Sequence, residues 1–143
     1  MIAIGCDHGG YELKNIIIEK FAELEFKDFG CFSLDSVDYP DIAIPLAEAV
    51  ASEICEKGIL ICRSGVGMDI TANKVRGIRA ALCFNTKVAE MAKRHEDVNI
   101  ITIPADYITE EDVIKIVKAW LDNNFDGGRH QRRIEKIKKY EER

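Results

Sequence analysis

The chain has 143 residues, of which 47% are hydrophobic and 31% are charged, and its formal net charge is −5 at pH 7. This length and composition predict one globular domain spanning residues 1–143, and the acidic balance argues against a nucleic-acid-binding surface. No apolar run approaches the roughly 20 residues that cross a bilayer, and the first apolar stretch is too short for a signal peptide. We therefore expect a soluble, cytoplasmic protein without membrane contact.

Strand-like and helix-like stretches alternate along the chain. Apolar runs predict strands at residues 2–6, 26–29, 59–62, 78–83 and 99–103. Apolar residues at helical spacing predict helices at 13–24, 42–50, 68–75, 86–96 and from an N-cap at Thr109 onward. The alternation predicts a Rossmann-like three-layer α/β/α fold with a five-stranded parallel sheet and an extra C-terminal helix.

The C-terminal helix is predicted over about residues 129–142, after Gly127-Gly128, which we expect to end the preceding helix. It has few large apolar residues, namely Ile134, Ile137 and Tyr140. Two interpretations stay open at this point: the helix packs on a partner subunit, or it is a lightly docked, solvated tail.

Five cysteines are scattered along the chain without a C-x-x-C pair: Cys6, Cys31, Cys55, Cys62 and Cys83. This pattern argues against a disulfide scaffold and against a structural zinc site. Most of these thiols are expected to be small buried hydrophobes, with Cys62 as the exception.

Cys62 stands where an apolar strand ends and a turn of small residues, Arg63-Ser64-Gly65-Val66-Gly67, begins. In an open parallel sheet ligands bind at this edge, and backbone N–H groups at a helix start attract anions. We expect the helix start to lower the pKa of the Cys62 thiol, and Ser64 and the loop amides to donate hydrogen bonds to a developing oxyanion. A reactive sulfur beside an anion cradle predicts an enzyme with a small anionic substrate.

Two polar residues, Asp7 and His8, follow the first strand and reach the same edge of the predicted sheet. They are suited to orienting hydroxyl groups or moving protons. The competing interpretation is that Asp7 caps a helix and His8 is an ordinary turn residue. A metal site is a weak alternative, because no second histidine or carboxylate follows at ligand spacing.

Two further candidates lie later in the chain. His95 ends the fourth predicted helix in a charged context that is typical of a solvated surface. Arg129 and Arg133 are four residues apart, so they share one helix face and could clamp a phosphate; the alternative is a basic surface turn.

The segments that carry these residues are, in order, GCDHG at 5–9, DYP at 38–40, GILICRSGVG at 58–67, ANK at 72–74, GIRA at 77–80 and GGRHQ at 127–131. Together they resemble ribose-5-phosphate isomerase of type B, the family that also contains the galactose-6-phosphate isomerase subunits. The resemblance covers nearly the whole chain, and it is the joint occurrence of the motifs that is specific.

The resemblance implies an aldose–ketose isomerase of sugar phosphates that needs no metal or cofactor and forms a homodimer or homotetramer with sites between subunits. By the same resemblance, Cys62 is the catalytic base and His95 helps to open the sugar ring. Ser64 is placed with them among the catalytic residues. Sugar, enediolate and phosphate would be bound by the remaining positions, namely Asp7, His8, Tyr39, Arg63, Gly65, Val66, Gly67, Arg129 and Arg133.

Four residues depart from the pattern of that family. Arg63 occupies a position that is usually glycine, and Ser64 one where some members have threonine. Glu96 replaces a usual asparagine, and Asp106 replaces an arginine that binds phosphate. We expect Arg63 to restore part of the lost positive charge. Ribose 5-phosphate is the expected substrate, and two alternatives stay open: a hexose 6-phosphate such as allose or galactose 6-phosphate, and a non-catalytic phosphosugar- or nucleotide-binding module.

Overall fold

One parallel sheet contains all the strands of the computed structural model, which describes residues 1–143. The strands are β1 (Ile2–Cys6), β2 (Phe26–Asp28), β3 (Lys57–Cys62), β4 (Ala80–Leu82) and β5 (Ile100–Pro104). Their order across the sheet is β2-β1-β3-β5-β4, and every neighbouring pair is parallel. The predicted five-stranded parallel sheet is confirmed.

Six α-helices cover the two faces of the sheet, and none is long and apolar enough to span a membrane. They are α1 (Tyr11–Lys20), α2 (Tyr39–Ala51), α3 (Val66–Asn73), α4 (Thr86–Glu96), α5 (Glu110–Asp122) and α6 (Arg129–Glu141). Short 3-10 turns at His8–Gly10 and Ala105–Tyr107 follow β1 and β5.

Side chains on the two faces of the sheet enter two separate cores. Ile4 of β1 packs in the core formed with α1, α4 and α5, whereas its neighbour Ala3 packs in the core formed with α2 and α3. This alternation follows from the two-residue period of a strand. Trp120 of α5 is fully buried and donates its indole N–H to the Val98 carbonyl at 3.0 Å, which joins α5 to the residues before β5.

The helix ends show what the sequence pattern identifies and what it misses. Thr109 caps α5 as predicted, because its hydroxyl accepts the Asp112 N–H at 3.1 Å. The prediction that Gly127-Gly128 ends this helix is wrong: α5 ends at Asp122, and Asn123 is already extended. Helix α3 begins at Val66, two residues earlier than predicted, because Gly65 takes a left-handed conformation with φ of +75°.

Helix α6 docks on its own chain at both ends. His130 and Ile134 are buried, and the Glu141 carboxylate accepts the Gly77 N–H at 3.2 Å. Ile137 and Tyr140 remain 45% and 64% exposed. The helix is therefore docked on its own chain and is not a solvated tail. Ile137 and Tyr140 form an apolar strip that faces outward.

The connections from β1 and β3 diverge, and this creates a crevice. The chain leaves β1 toward β2 on one side, and it leaves β3 toward β4 on the other. Such a switch point at the carboxyl edge of a parallel sheet is where ligands bind. The turn after β1 lies close against β3, since a Cβ on Gly10 would be 2.7 Å from the Ile61 carbonyl oxygen.

We predict that Gly10→Ala lowers the free energy of unfolding by about 1–3 kcal/mol, because the added methyl group overlaps the backbone of β3 and forces the loop outward. Gly9→Ala is the matched control in the same turn, since its Cβ would meet mainly the flexible side chain of Arg63. Urea unfolding of both variants measures the difference; equal losses would contradict this account of the crevice.

Candidate active site

Cys62 is the last residue of β3, and its side chain turns toward the start of α3. Its Sγ accepts the Gly65 N–H at 3.2 Å, and the Ser64 and Met68 N–H groups also point at it. Gly65, the N-cap of α3, has no side chain to cap the first turn, and the Val66 N–H donates to Ser64 Oγ at 3.3 Å. N–H groups at such a helix start attract anions. The sulfur and the predicted anion cradle therefore lie together.

Two glycines give the loop after Cys62 its shape. A Cβ on Gly65 would lie 2.3 Å from Leu82 Cδ1, and the positive φ there disfavours any other residue. A Cβ on Gly67 would lie 2.7 Å from the Tyr39 ring, so that ring rests directly on the start of α3. Tyr39, predicted only from the resemblance, is thus brought to this loop.

The pKa of the Cys62 thiol is raised above its ordinary value, because burial outweighs the lowering that we expected from the helix start. Burial is the main cause, since only 4% of the residue is exposed, and the nearby Asp7 carboxylate raises the pKa further. The three backbone N–H donors act in the opposite direction but do not compensate. Cys62 is therefore mainly a thiol at neutral pH.

Asp7 and His8 form the opposite wall of the crevice. Asp7 is buried, and its Oδ1 accepts the Gly9 N–H at 2.9 Å, so it does cap the short turn after β1. His8 is partly exposed, and its Nδ1 accepts the Val37 N–H at 3.4 Å, which leaves Nε2 for a ligand. Because Asp7 acts electrostatically on Cys62, the first and third strands bring their polar ends to one site.

Arg63 extends along the rim of the crevice. Its Nε donates to Asp106 Oδ2 at 3.0 Å, and the Asp106 N–H donates to the Arg63 carbonyl at 2.9 Å. Its aliphatic part covers Gly9, where a Cβ would lie 2.3 Å from Arg63 Cγ. The pair therefore links three loops, and the two departures from the family pattern neutralise each other in part.

His95, Arg129 and Arg133 lie at the other edge of the sheet. Helix α4 returns from the end of β4 to the start of β5, so its last turn stands at the amino edge, where Arg79 Nε donates to the Glu96 carbonyl at 2.8 Å. A strand the length of β3 separates the two edges by roughly 15 Å. One chain therefore does not bring His95 to Cys62.

Two residues beside His95 were not predicted as site residues. The His95 and His130 rings are stacked with centroids 4.1 Å apart and planes within 9°, and Asp126 Oδ2 lies 3.9 Å from His95 Nε2. No sequence spacing signals this contact, because the three residues come from α4, a connecting segment and α6.

The same three residues form a potential metal-ligating group, since one ligand atom of each lies within 4.8 Å of the others. A metal ion bonds imidazole in the plane of the ring, and two nearly parallel planes share no such position. The Asp126 carboxylate is also bound by Arg94 on both oxygens, each at 3.2 Å. The geometry therefore suits proton handling better than chelation.

The other four cysteines are buried and free, as expected for small hydrophobic side chains. Burial raises the pKa of Cys6 and of Cys83 to about 12 in each case. Cys62 differs from them because three backbone N–H groups at and before the start of α3 point at its sulfur.

Comparison with known proteins agrees with this geometry. Residues 2–137 match the family model described as Ribose/Galactose Isomerase. Ribose-5-phosphate isomerase B of Escherichia coli is 42% identical over 144 residues, covering 99% of this chain and 97% of that protein.

Two solved structures superpose closely on the chain. Ribose-5-phosphate isomerase B of Clostridium thermocellum is 45% identical with a TM-score of 0.96, covering 99% of this chain and 97% of that one. The enzyme of Mycoplasma genitalium, solved with bound ribulose-5-phosphate, is 43% identical with a TM-score of 0.94, covering 99% of this chain and 95% of that one.

Fold and crevice together define a parallel α/β protein whose candidate ligand site is the crevice at the carboxyl edge between β1 and β3. More particularly, the chain belongs to the ribose/galactose isomerase family.

We predict that Asp7→Asn lowers the pKa of the Cys62 thiol, because the substitution removes a negative charge that disfavours the thiolate. Asparagine keeps the oxygen that caps the turn, so the loop should persist. The pH dependence of Cys62 alkylation, followed by mass spectrometry of its peptide, measures the pKa. Asp35→Asn, on an exposed loop, is the control and should change nothing; an unchanged pKa in Asp7→Asn would contradict the prediction.

Proposed function

We propose that this protein interconverts ribose 5-phosphate and ribulose 5-phosphate, with Cys62 as the base that moves a proton between C2 and C1. Family membership makes the chain an aldose–ketose isomerase that acts on a sugar phosphate. The observation that carries the residue assignment is the Cys62 sulfur at the carboxyl edge of the sheet, between Asp7 and three backbone N–H groups.

In the proposed reaction, the Cys62 thiolate takes the C2 proton of the open-chain aldose, and the electron pair forms the enediolate. A proton passes from the C2 hydroxyl to O1, and Cys62 returns its proton to C1. Donors at the start of α3, together with the Ser64 hydroxyl, stabilise the enediolate oxygens by about 3 kcal/mol each. A positioned base adds roughly 10²–10⁴-fold to the rate.

The raised pKa of Cys62 fits this role on the condition that the thiol first loses its proton. A thiol that is mainly protonated supplies little base at neutral pH, but the thiolate that does form is strongly basic toward a weakly acidic C–H. The rate should therefore increase with pH up to the pKa of Cys62. Asp7 and His8 face the same crevice and are proposed to bind the sugar hydroxyls.

We further propose that two copies of the whole domain, residues 1–143, build each site. Neither edge of the sheet holds a complete set: Cys62 and the enediolate donors are at one edge, and His95, Arg129 and Arg133 are at the other. The two arginines are exposed, so they are free to reach the phosphate of a substrate held by a partner. A homodimer with twofold symmetry, or a tetramer built from it, would complete two sites at once.

An assay over pentose and hexose phosphates, run with a chelator, tests the function. We expect turnover of ribose 5-phosphate to survive the chelator and Cys62→Ala to reduce it at least about 100-fold while binding persists. Cys55→Ala is the control, because Cys55 is also buried but precedes β3 and so lies at the opposite edge of the sheet from Cys62. Preference for a hexose 6-phosphate would correct the substrate. Binding without turnover by the wild type would favour a phosphosugar-binding module instead.

We predict that mixing two inactive variants, Cys62→Ala and His95→Gln, restores activity. In a mixed dimer, one site receives both substitutions and the other receives neither. Random exchange makes about half of the dimers mixed, so roughly a quarter of wild-type activity should return. Each variant refolded alone is the control. Mixtures that stay inactive, although mass spectrometry detects mixed dimers, would show that Cys62 and His95 do not share a site across chains.

We predict that Arg63→Gly raises KM for the phosphorylated sugar by about three- to fivefold, because it removes an exposed cation at the rim. Asp106→Asn should lower KM, since it removes the carboxylate that partly neutralises Arg63. Steady-state kinetics at low ionic strength measure both effects. An unchanged KM in Arg63→Gly would rule out this role.

A further inference from the structure

His130 is the most conspicuous residue that the proposed reaction leaves without a role. Its ring is buried at the start of α6 and lies flat on His95, with the ring centroids 4.1 Å apart and the planes within 9°. His95 itself is about one-third exposed, so one face of its ring is covered by His130 and its edge remains accessible. Without this contact, the His95 side chain would have access to more than one rotamer.

A second contact restrains His95 at its edge. Asp126 Oδ2 lies 3.9 Å from His95 Nε2, and Arg94 holds Asp126 through Nε and Nη2. The Asp126 N–H also donates to the Arg94 carbonyl at 2.9 Å, which ties the segment before α6 to α4. The carboxylate is thus fixed beside His95 Nε2.

The groups around the pair disfavour a positive charge on His130. The pKa of His130 is lowered, first by burial and then by the positive charges of His95, Arg129 and Arg133, with Asp126 acting in the opposite direction. Because His130 stays neutral, a protonated His95 does not face a second cation across the stack. Neutral imidazole then offers the flat face of its ring to His95.

We propose that His130 is a positioning residue, whose ring is the platform that fixes His95 for opening the furanose ring of the substrate. This inference rests on the proposed function. In ring opening, the C1–O4 bond breaks, O4 gains a proton, and the hydroxyl at C1 loses one as the carbonyl forms. His95 donates to O4 and is reprotonated by the proton from O1, so it ends unchanged. Asp126, held by Arg94, lies beside His95 Nε2.

A pair of substitutions separates a platform from a chemical role. His130→Phe keeps a flat ring and removes both nitrogen atoms, whereas His130→Ala removes the platform. We expect His130→Phe to retain kcat within about threefold. His130→Ala should lose about 10- to 100-fold in kcat on ribose 5-phosphate with KM little changed, since a displaced catalytic group costs rate of this order.

Hydrogen exchange at C1 of ribulose 5-phosphate in D₂O isolates the proton-transfer step. This ketose is open-chain, so its exchange needs Cys62 but no ring opening. We expect His130→Ala and His95→Gln to keep C1 exchange near the wild-type rate, followed by NMR, while Cys62→Ala loses it. Thermal unfolding of each variant confirms that the variants are folded, and His130→Phe keeps the test valid where His130→Ala is unstable.

The outcomes are distinct. Full activity in His130→Ala would overturn the platform role. Equal losses of kcat in His130→Ala and His130→Phe would overturn it too. So would a loss of C1 exchange in His130→Ala that matches its loss of kcat. A wild-type protein that neither converts ribose 5-phosphate nor exchanges C1 hydrogen would instead refute the proposed function.

Discussion

The common direction of the five strands is the constraint on which the rest of this structure depends. Because every strand runs the same way, each helix must return the chain to the amino edge, and the last turn of α4 carries His95 there. The loops after β1 and β3 collect at the carboxyl edge with Asp7 and Cys62. The proposed division of each site between two chains is thus a consequence of parallel topology.

At the carboxyl edge, desolvation and hydrogen bonding act against each other on one sulfur atom. Burial beneath the loop and the charge of Asp7 both disfavour the Cys62 thiolate, while the N–H groups of the α3 start favour it. Burial prevails in the isolated chain. The same loop that desolvates the thiol also orients the donors proposed for the enediolate. The high basicity of the thiolate and the proposed stabilisation of the intermediate therefore have one structural origin.

Local patterns predicted the elements well, and distant contacts account for the differences. Residues 2–6 form a strand and Thr109 caps α5, because apolar runs and capping residues act within a few positions. The stack of His95 on His130 joins residues far apart in the chain, and no periodicity reports such a contact. The pKa of Cys62 was predicted in the wrong direction, since helix position is visible in a sequence but burial by α2 and α3 is not.

The C-terminal part of the chain stands apart from the sheet in one respect. The segment after Asn123 contributes no strand to the sheet. It contacts the rest of the chain at α4, where Asp126 pairs with Arg94, and at the end of α6, where Glu141 accepts the Gly77 N–H. The residues proposed to move protons between carbons, Cys62 and its backbone donors, lie instead at the end of a central strand. Changes confined to the segment after Asn123, which carries Arg129 and Arg133, would therefore alter the proposed phosphate contacts and leave the proposed carbon-acid chemistry intact.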